Sequence, residues 1–198
     1  FINNYRPASI GAGSAGLAGS LRNLSGQGDL LELKLQGPIR QGHGGQGSLG
    51  WQMPLAALGL PDSQLSLALE SGSSSVIEEP VRLLDIRSRL RSRDIGFSHR
   101  LHESLGQSVS IGVNRLSRDN RTELLGEPFS FTPGVPDGET RETLWRFWQA
   151  YAWRSDKQVL ALRSSFSWGS NNVQAIAGLP PEATPDRRFR LWSGQLHY

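Results

Sequence analysis

The chain contains no cysteine, so neither a disulfide nor thiolate chemistry is available to it. It also lacks an apolar run of about 20 residues, the length that a membrane-spanning helix needs. Lysine is scarce as well, because the 21 basic residues include only Lys34 and Lys157. A β-barrel stays compatible with these absences, since each barrel strand carries a much weaker hydrophobic signal than a membrane helix does.

The 198 residues suffice for one domain, and 23 of them are glycine. Hydrophobic residues make up only 37%, which is low for a globular protein. The net charge is +3 and the pI about 9.8. The arginines are not gathered in one helix or aromatic-rich sheet motif, and no zinc-finger or RNA-recognition signature is present. We therefore expect no nucleic-acid partner.

The sequence shows no constellation for catalysis or metal binding. It has no nucleophile-elbow motif, and Glu78-Glu79 is typical of a solvated loop. Two histidines, His99 and His102, are three residues apart, which predicts opposite faces of a strand rather than a shared metal ion. We expect no enzyme activity, no cofactor and no metal site. The histidines, none with the spacing of metal ligands, are His43, His99, His102 and His197.

The stretch 144–170 predicts two long strands joined by a short turn at 155–157. Apolar and polar residues alternate with period two along both arms. The arms exceed the usual strand length, and their aromatic residues cluster towards the strand ends, as in barrels with aromatic girdles. Arg146, Arg154 and Arg163 belong to the polar row. The apolar row consists of Trp145, Phe147, Tyr151, Trp153, Leu160, Leu162, Phe166 and Trp168.

The segment 81–101 is the longest extended stretch, and its first half carries arginine at every second position. Ile95 and Phe97 continue on the same odd-numbered face. Either a bulge near Asp94 switches the alternation, or the arginine half projects above a bilayer while Ile95 and Phe97 contact lipid. We favour the second interpretation. The arginines concerned are Arg87, Arg89, Arg91 and Arg93.

The pattern as a whole predicts an all-β fold of about ten antiparallel strands with no helix of useful length. Short and long connections alternate along the chain, which indicates an antiparallel transmembrane β-barrel with turns at one end and loops at the other. The short connections are 23–29, 56–63, 102–107 and 155–157. The long or polar ones are 41–46, 71–80, 117–140 and 171–187.

Several blocks resemble the barrel of two-partner secretion transporters, also called haemolysin or filamentous-adhesin secretion/activation proteins. An opening Asn3-Asn4-Tyr5 is followed by Asn23-Leu24-Ser25-Gly26-Gln27-Gly28-Asp29, which is similar to the family's first turn, with Ser25 in place of a leucine. Further similar blocks follow in the family's order. They are Leu84-Asp85-Ile86, Gly96-Phe97-Ser98-His99-Arg100-Leu101, Gly126-Glu127-Pro128-Phe129-Ser130, Gln158 to Ser167, and Leu191-Trp192-Ser193-Gly194-Gln195.

The resemblance implies a sixteen-stranded outer-membrane barrel, of which residues 1–198 supply about ten strands as a partial barrel domain. The family's periplasmic POTRA domains would precede Phe1, and its inward-folded loop would follow Tyr198. The expected function is translocation of a partner exoprotein of haemolysin or adhesin type to the cell surface without nucleotide hydrolysis. Expected partners are that exoprotein, outer-membrane lipid and lipopolysaccharide. The residues expected to build the first periplasmic turn are Asn23, Gly26, Gly28 and Asp29.

Within this family Arg146, Arg154 and Arg163 are the candidate lumen-lining residues, because arginine facing lipid near the midplane costs about 2–4 kcal/mol. A basic lumen would favour an unfolded polar chain or an anion over a cation. These arginines either contact the passing chain or pair with carboxylates and merely fill the lumen, and we favour the second interpretation. For Arg87 to Arg93, contact with lipopolysaccharide phosphates competes with plain solubility, which we favour.

Two other classes of protein remain open at the level of sequence. One is a general diffusion porin or an insertase-type outer-membrane barrel. The other is a soluble β-sandwich, in which the apolar rows would be buried between two sheets.

Overall fold

The computed structural model describes residues 1–4, 6–11, 13–39, 44–174 and 186–198, without the side chains of Ala8 and Pro136. Within these ranges eleven β-strands form one sheet, joined by turns and four short 3-10 segments. None of the described helices is long and apolar enough to cross a membrane. The strands are β1 (Ile2–Asn3), β2 (Ser14–Arg22), β3 (Leu30–Pro38), β4 (Gln46–Leu55), β5 (Leu60–Ser75), β6 (Arg87–Glu103), β7 (Gln107–Leu124), β8 (Glu127–Pro128), β9 (Glu139–Arg154), β10 (Val159–Asn171) and β11 (Arg188–His197).

The sheet is a simple up-and-down meander. Each strand pairs antiparallel with the next in sequence, except that the two-residue β8 pairs only with β7, so that β7 and β9 are neighbours. Leaving β8 aside, ten strands form the wall, which confirms the predicted number and order. All four short connections therefore lie at one end of the sheet and the long ones at the other.

The cross-strand register gives the sheet one apolar and one polar face. Tyr151, for example, pairs with Leu162 on β10 and with Val109 on β7, all on the apolar face. Only Val135, Leu144 and Val173 are buried hydrophobic residues in the described ranges. Because the described residues form one sheet and none of them covers its apolar rows as a second sheet, the β-sandwich interpretation is wrong.

Several strands are longer than the alternation predicted. Residues 71–75 and 117–124, expected in loops, belong to β5 and β7, and β5 already begins at Leu60 within the turn expected at 56–63. At these positions both faces of the strands carry mainly polar or small residues, so the alternation that marks a strand disappears there. The predicted start of β6 was also wrong, because Val81–Leu84 forms a 3-10 turn. Parts of the loops expected at 41–46 and 171–187 lie outside the described residues.

One β-bulge changes the placement of the histidines. Arg100 pairs with Ser110 but His102 pairs with Val109, so Leu101 is the extra residue. His99, which pairs with Ile111, and His102 therefore share the apolar face. The expectation of opposite faces was wrong because strict alternation does not allow for a bulge.

The register near Asp94 is unbroken. β6 pairs residue by residue with β7 from Arg87 to Arg100. The bulge alternative at Asp94 is thereby excluded, and the four arginines lie on the same face as Ile95 and Phe97.

Candidate functional site

The polar face of the sheet, the face that carries Asn114, Trp148 and Arg163, is the candidate functional surface. It is built from small and hydrogen-bonding residues on every long strand. Gln64 Nε2 of β5, for instance, donates to Gln52 Oε1 of β4 at 2.9 Å. A wall of this kind presents many hydrogen-bonding groups to whatever passes along it.

Trp148 is the centre of this surface. Its neighbours along β9, Phe147 and Gln149, have their side chains on the apolar face, so Trp148 is the aromatic residue that β9 places on the polar face. The Arg163 guanidinium of β10 lies 4.5 Å from the centroid of the Trp148 ring, a cation–π contact. Arg146, two residues before Trp148, donates from Nε to Ser167 Oγ of β10 at 3.3 Å.

Hydrogen bonds connect this centre to two further strands. Trp148 Nε1 donates to Asn114 Oδ1 of β7 at 3.0 Å. Asn114 Nδ2 in turn donates to Asp94 Oδ1 of β6 at 2.7 Å. We call the five side chains that link β6, β7, β9 and β10 the polar belt. They are Asp94, Asn114, Arg146, Trp148 and Arg163.

Two glycines make room for the polar belt. A Cβ at Gly112 would lie 2.4 Å from the Trp148 ring, so the indole lies directly over the backbone of β7. A Cβ at Gly96 would lie 2.4 Å from Asn114 Nδ2 and 2.5 Å from Ser66 Oγ. The side chains of Trp148 and Asn114 can therefore lie close against the backbone of the neighbouring strands.

The three predicted lumen arginines all lie on the polar face, and within the described residues none of them forms the ion pair with a carboxylate that we favoured. The ion pairs found in the described residues involve other arginines, namely Arg82, Arg87, Arg100, Arg121 and Arg141. Arg146 instead contacts a hydroxyl and Arg163 an aromatic ring. Arg154 lies apart from them, exposed at the last position of β9 beside the short turn. The charges of Arg146 and Arg163 thus stay uncompensated by any described carboxylate.

The predicted turn between β2 and β3 is built by its own side chains. Asn23 adopts φ 60°, and Gly26 and Gly28 both adopt φ 79°, the left-handed region in which glycine is least strained. Asn23 Oδ1 accepts from the Gly28 backbone N–H at 2.8 Å. The sequence had indicated this geometry through its Asn, Gly and Asp residues.

Asp29 connects that turn to β4 through hydrogen bonds. Its Oδ1 accepts from the backbone N–H and the hydroxyl of Ser25 at 2.8 and 2.6 Å, and its Oδ2 accepts from Trp51 Nε1 at 3.1 Å. Asp29 is only 2% exposed. The bonds from Ser25 and then from Trp51 lower the pKa of the Asp29 carboxyl to about 2. A carboxylate held in this way stays ionised and keeps the turn closed.

The apolar face carries an exposed hydrophobic band with aromatic residues at both ends. Along β9, Trp145 and Trp153 are eight residues apart, or about 27 Å at the rise of a strand. Phe166 and Trp168 are exposed by 47% and 46%. The Arg115 guanidinium lies 5.7 Å from the centroid of the Trp145 ring, at the loop end of the band. This is the arrangement of a surface in contact with lipid between two interfaces.

Beyond the band, the apolar face turns into a charged surface. The alternate arginines of β6, which we call the arginine ladder, pair in register with Ser117 to Glu123 of β7. β6 and β7 have 17 and 18 residues, whereas a tilted strand needs about 9–11 to cross the hydrocarbon. The ladder consists of Arg87, Arg89, Arg91 and Arg93.

The ten-stranded meander and its two faces define the class of this protein as a partial antiparallel β-barrel. CdiB from Escherichia coli is similar in structure, with a TM-score of 0.80 at 16% identity over 98% of this chain and 35% of that one. CdiB from Acinetobacter baumannii matches with a TM-score of 0.67 at 11% identity, over 98% of this chain and 32% of that one. The chain thus spans about a third of the CdiB chains. No protein-family model and no curated protein sequence matches it.

Three residues of the polar belt, Asp94, Asn114 and above all Trp148, were not predicted from the sequence. The signal was available, since Trp148 has an even number in a strand whose other aromatics are odd-numbered. Asn114 and Asp94 carried no comparable signal, because their meeting depends on the register between strands. No cluster of three potential metal ligands occurs in the part of the chain that the structure describes, and His43 lies outside that part.

Proposed function

We propose that this chain forms part of the barrel of an outer-membrane transporter of two-partner secretion. One observation carries the proposal: the fold coincides with that of CdiB over 98% of the chain, and CdiB proteins are two-partner secretion transporters. The blocks from Asn23 to Gln195 resemble the same family independently of the fold. Residues 1–198 then supply ten wall strands of a larger barrel.

In this proposal the short turns, including Asn23 to Asp29, face the periplasm and the long loops face the cell surface. The support is the segregation of loop lengths to the two ends of the sheet, which is the arrangement of outer-membrane barrels. The apolar band contacts outer-membrane lipid, and the polar face lines the pore.

The polar belt is the part of the pore wall that faces the secreted chain. Arg146 and Arg163 lack a described carboxylate partner, and Trp148 offers a flat aromatic surface between them. An unfolded exoprotein carries backbone carbonyls and acidic side chains that such a wall can bind weakly and release. Folding of the exoprotein outside the cell supplies the directional free energy, so no nucleotide is hydrolysed.

A secretion assay tests the proposal. Deletion of the transporter gene should retain one large exoprotein in the periplasm, and the full-length wild-type gene should restore its export. If the secreted proteins of the deletion strain match those of the parent, the proposal is wrong.

The role of the belt is tested with two double variants of the full-length transporter. Arg146→Ala with Arg163→Ala should reduce export severalfold at equal amounts of folded barrel. The matched control, Arg188→Ala with Arg190→Ala, removes two arginines from the other face, since these residues pair with Ser170 and Trp168. Equal export by both double variants would show that the belt has no part in translocation.

A further inference from the structure

A cleft of about 270 Å³ opens on the loop end of the sheet, on the face that continues the apolar band. It lies where the arginine ladder meets β5 on one side and β7 on the other. Ser73 of β5, Arg89 of β6 and Arg121 of β7 form one row across the cleft. The polar belt is on the opposite face, so this cleft is separate from the proposed pore wall.

The charges in the cleft do not balance. Arg87 is held by Asp85 through two contacts of 3.0 and 2.7 Å. Arg121 Nε contacts Glu123 Oε1 at 3.2 Å. Arg89 makes no ion pair or side-chain hydrogen bond within the described ranges. It lies directly opposite Arg121, and like charges in this position repel each other. Two further carboxylates lie on the same face, Asp119 opposite Arg91 and Glu139 opposite Arg121. Arg89 is therefore the guanidinium of the cleft lining that has no ion pair within the described ranges.

The position of the cleft limits the kind of anion that would fill it. The apolar band ends where Leu69 pairs with Arg93, and Arg89 is four residues further along β6, or about 14 Å at the rise of a strand. Arg91 and Arg93 occupy the space between. A ligand anchored in the outer leaflet would thus meet a continuous row of guanidinium groups that leads from the membrane interface to the cleft.

The geometry points to a binding site for a phosphate group on the headgroup of a glycolipid of the outer leaflet, with Arg89 and Arg121 as its two guanidinium partners. Arginine pairs strongly with phosphate through charge-assisted hydrogen bonds. The Ser73 hydroxyl in the same row can bond to a phosphate or sugar oxygen. The inference rests on the proposed function for the orientation of the barrel, since it requires the loop end to be at the cell surface.

The test measures binding of purified lipopolysaccharide to the full-length transporter in detergent, by native mass spectrometry and by the rise in unfolding temperature. Dephosphorylated lipopolysaccharide and inorganic phosphate are the comparison ligands. Wild-type protein should bind intact lipopolysaccharide at least tenfold more tightly than the dephosphorylated form. Inorganic phosphate alone should not raise the unfolding temperature. An equal rise with inorganic phosphate would assign the cleft to a free anion and overturn the lipid assignment.

The variants Arg89→Ala and Arg121→Ala should each lower the affinity for lipopolysaccharide at least tenfold. Arg118→Ala is the matched control, since Arg118 lies on the opposite face of β7 and has no described ion pair. Arg89→Gln keeps the length of the side chain and serves in place of Arg89→Ala if that variant does not fold. Binding unchanged in the Arg89 variant would overturn the inference. If lipopolysaccharide binds but the exoprotein is not exported, the result contradicts the proposed function and still supports the lipopolysaccharide site.

Discussion

The two faces of β9 and β10 are made from the same strands and use tryptophan in opposite ways. On the apolar face, Trp145 and Trp168 pair with each other across the strands and stay exposed by 41% and 46%. On the polar face, Trp148 bonds to Asn114 through its N–H and carries Arg163 against its ring. A residue type alone therefore does not show which face it occupies.

The environment beyond each face, rather than a packed core, decides which side chain fits at a position. A single-layer wall has almost no interior, so its apolar side chains stay exposed, and the proposed function assigns lipid as their partner. Its polar side chains satisfy one another along the wall, as Trp148, Asn114 and Asp94 do. Three predictions test the difference between the two faces and a fourth tests the β2–β3 turn, in order of decreasing change in stability.

A charge on the apolar face should be the most damaging change. Phe147→Arg places a guanidinium towards lipid and should lower the free energy of unfolding by about 2–4 kcal/mol. Urea unfolding in lipid vesicles measures this loss. Ala152→Arg on the polar face is the control and should cost far less, since Ala161 and Ser108 are its uncharged cross-strand neighbours. Similar losses for both variants would contradict the assignment of the faces.

A methyl group added beneath the Trp148 ring should cause the second-largest loss of stability. Gly112→Ala puts a methyl group 2.4 Å from the indole, and overpacking of this kind typically costs about 1–3 kcal/mol. Gly19→Ala is the matched control, because nothing lies within 4 Å of its added Cβ. Unfolding of both variants in the same vesicles gives the comparison. If Gly112→Ala is as stable as Gly19→Ala, the indole does not lie over β7.

Removal of the indole N–H should have a smaller effect. Trp148→Phe removes the hydrogen bond to Asn114. It should lower the free energy of unfolding by about 1 kcal/mol more than the loss of apolar area alone would. Trp145→Phe serves as the reference for that area, since the Trp145 N–H has no described partner. The same urea series measures both variants, and equal losses would show that the N–H bond contributes nothing.

The smallest expected change is a dependence on pH at the turn. The pKa of Asp29 is lowered from its usual 3.8 to about 2. Its contribution to stability is therefore full above about pH 4 and is lost as the pH falls through 2. Asp29→Asn should be less stable than wild type at pH 7, and the difference should shrink between pH 4 and 2. Unfolding in detergent across that range measures it. A difference independent of pH would exclude the ionised carboxylate as the cause.

Much of the barrel wall could be predicted because its periodicity is local. The alternation of residues 144–170 placed Arg146, Arg154 and Arg163 on one face. The residues Asn23, Gly26, Gly28 and Asp29 indicated a tight turn through their own backbone preferences. Prediction was wrong at 71–75 and 117–124, where strands continue with polar residues on both faces.

The sequence alone determined the strand order, the two faces of the sheet and the β2–β3 turn. Alternation along a strand and the left-handed backbone of a turn both depend only on residues that are neighbours in the chain. The bulge at Leu101, the contact of Trp148 with Asn114 and the opposition of Arg89 to Arg121 came only from the structure. Each depends on the residue-by-residue register between paired strands, and a shift by one residue would move every side chain to the other face. The pairing of whole strands sets that register, and no local pattern contains it.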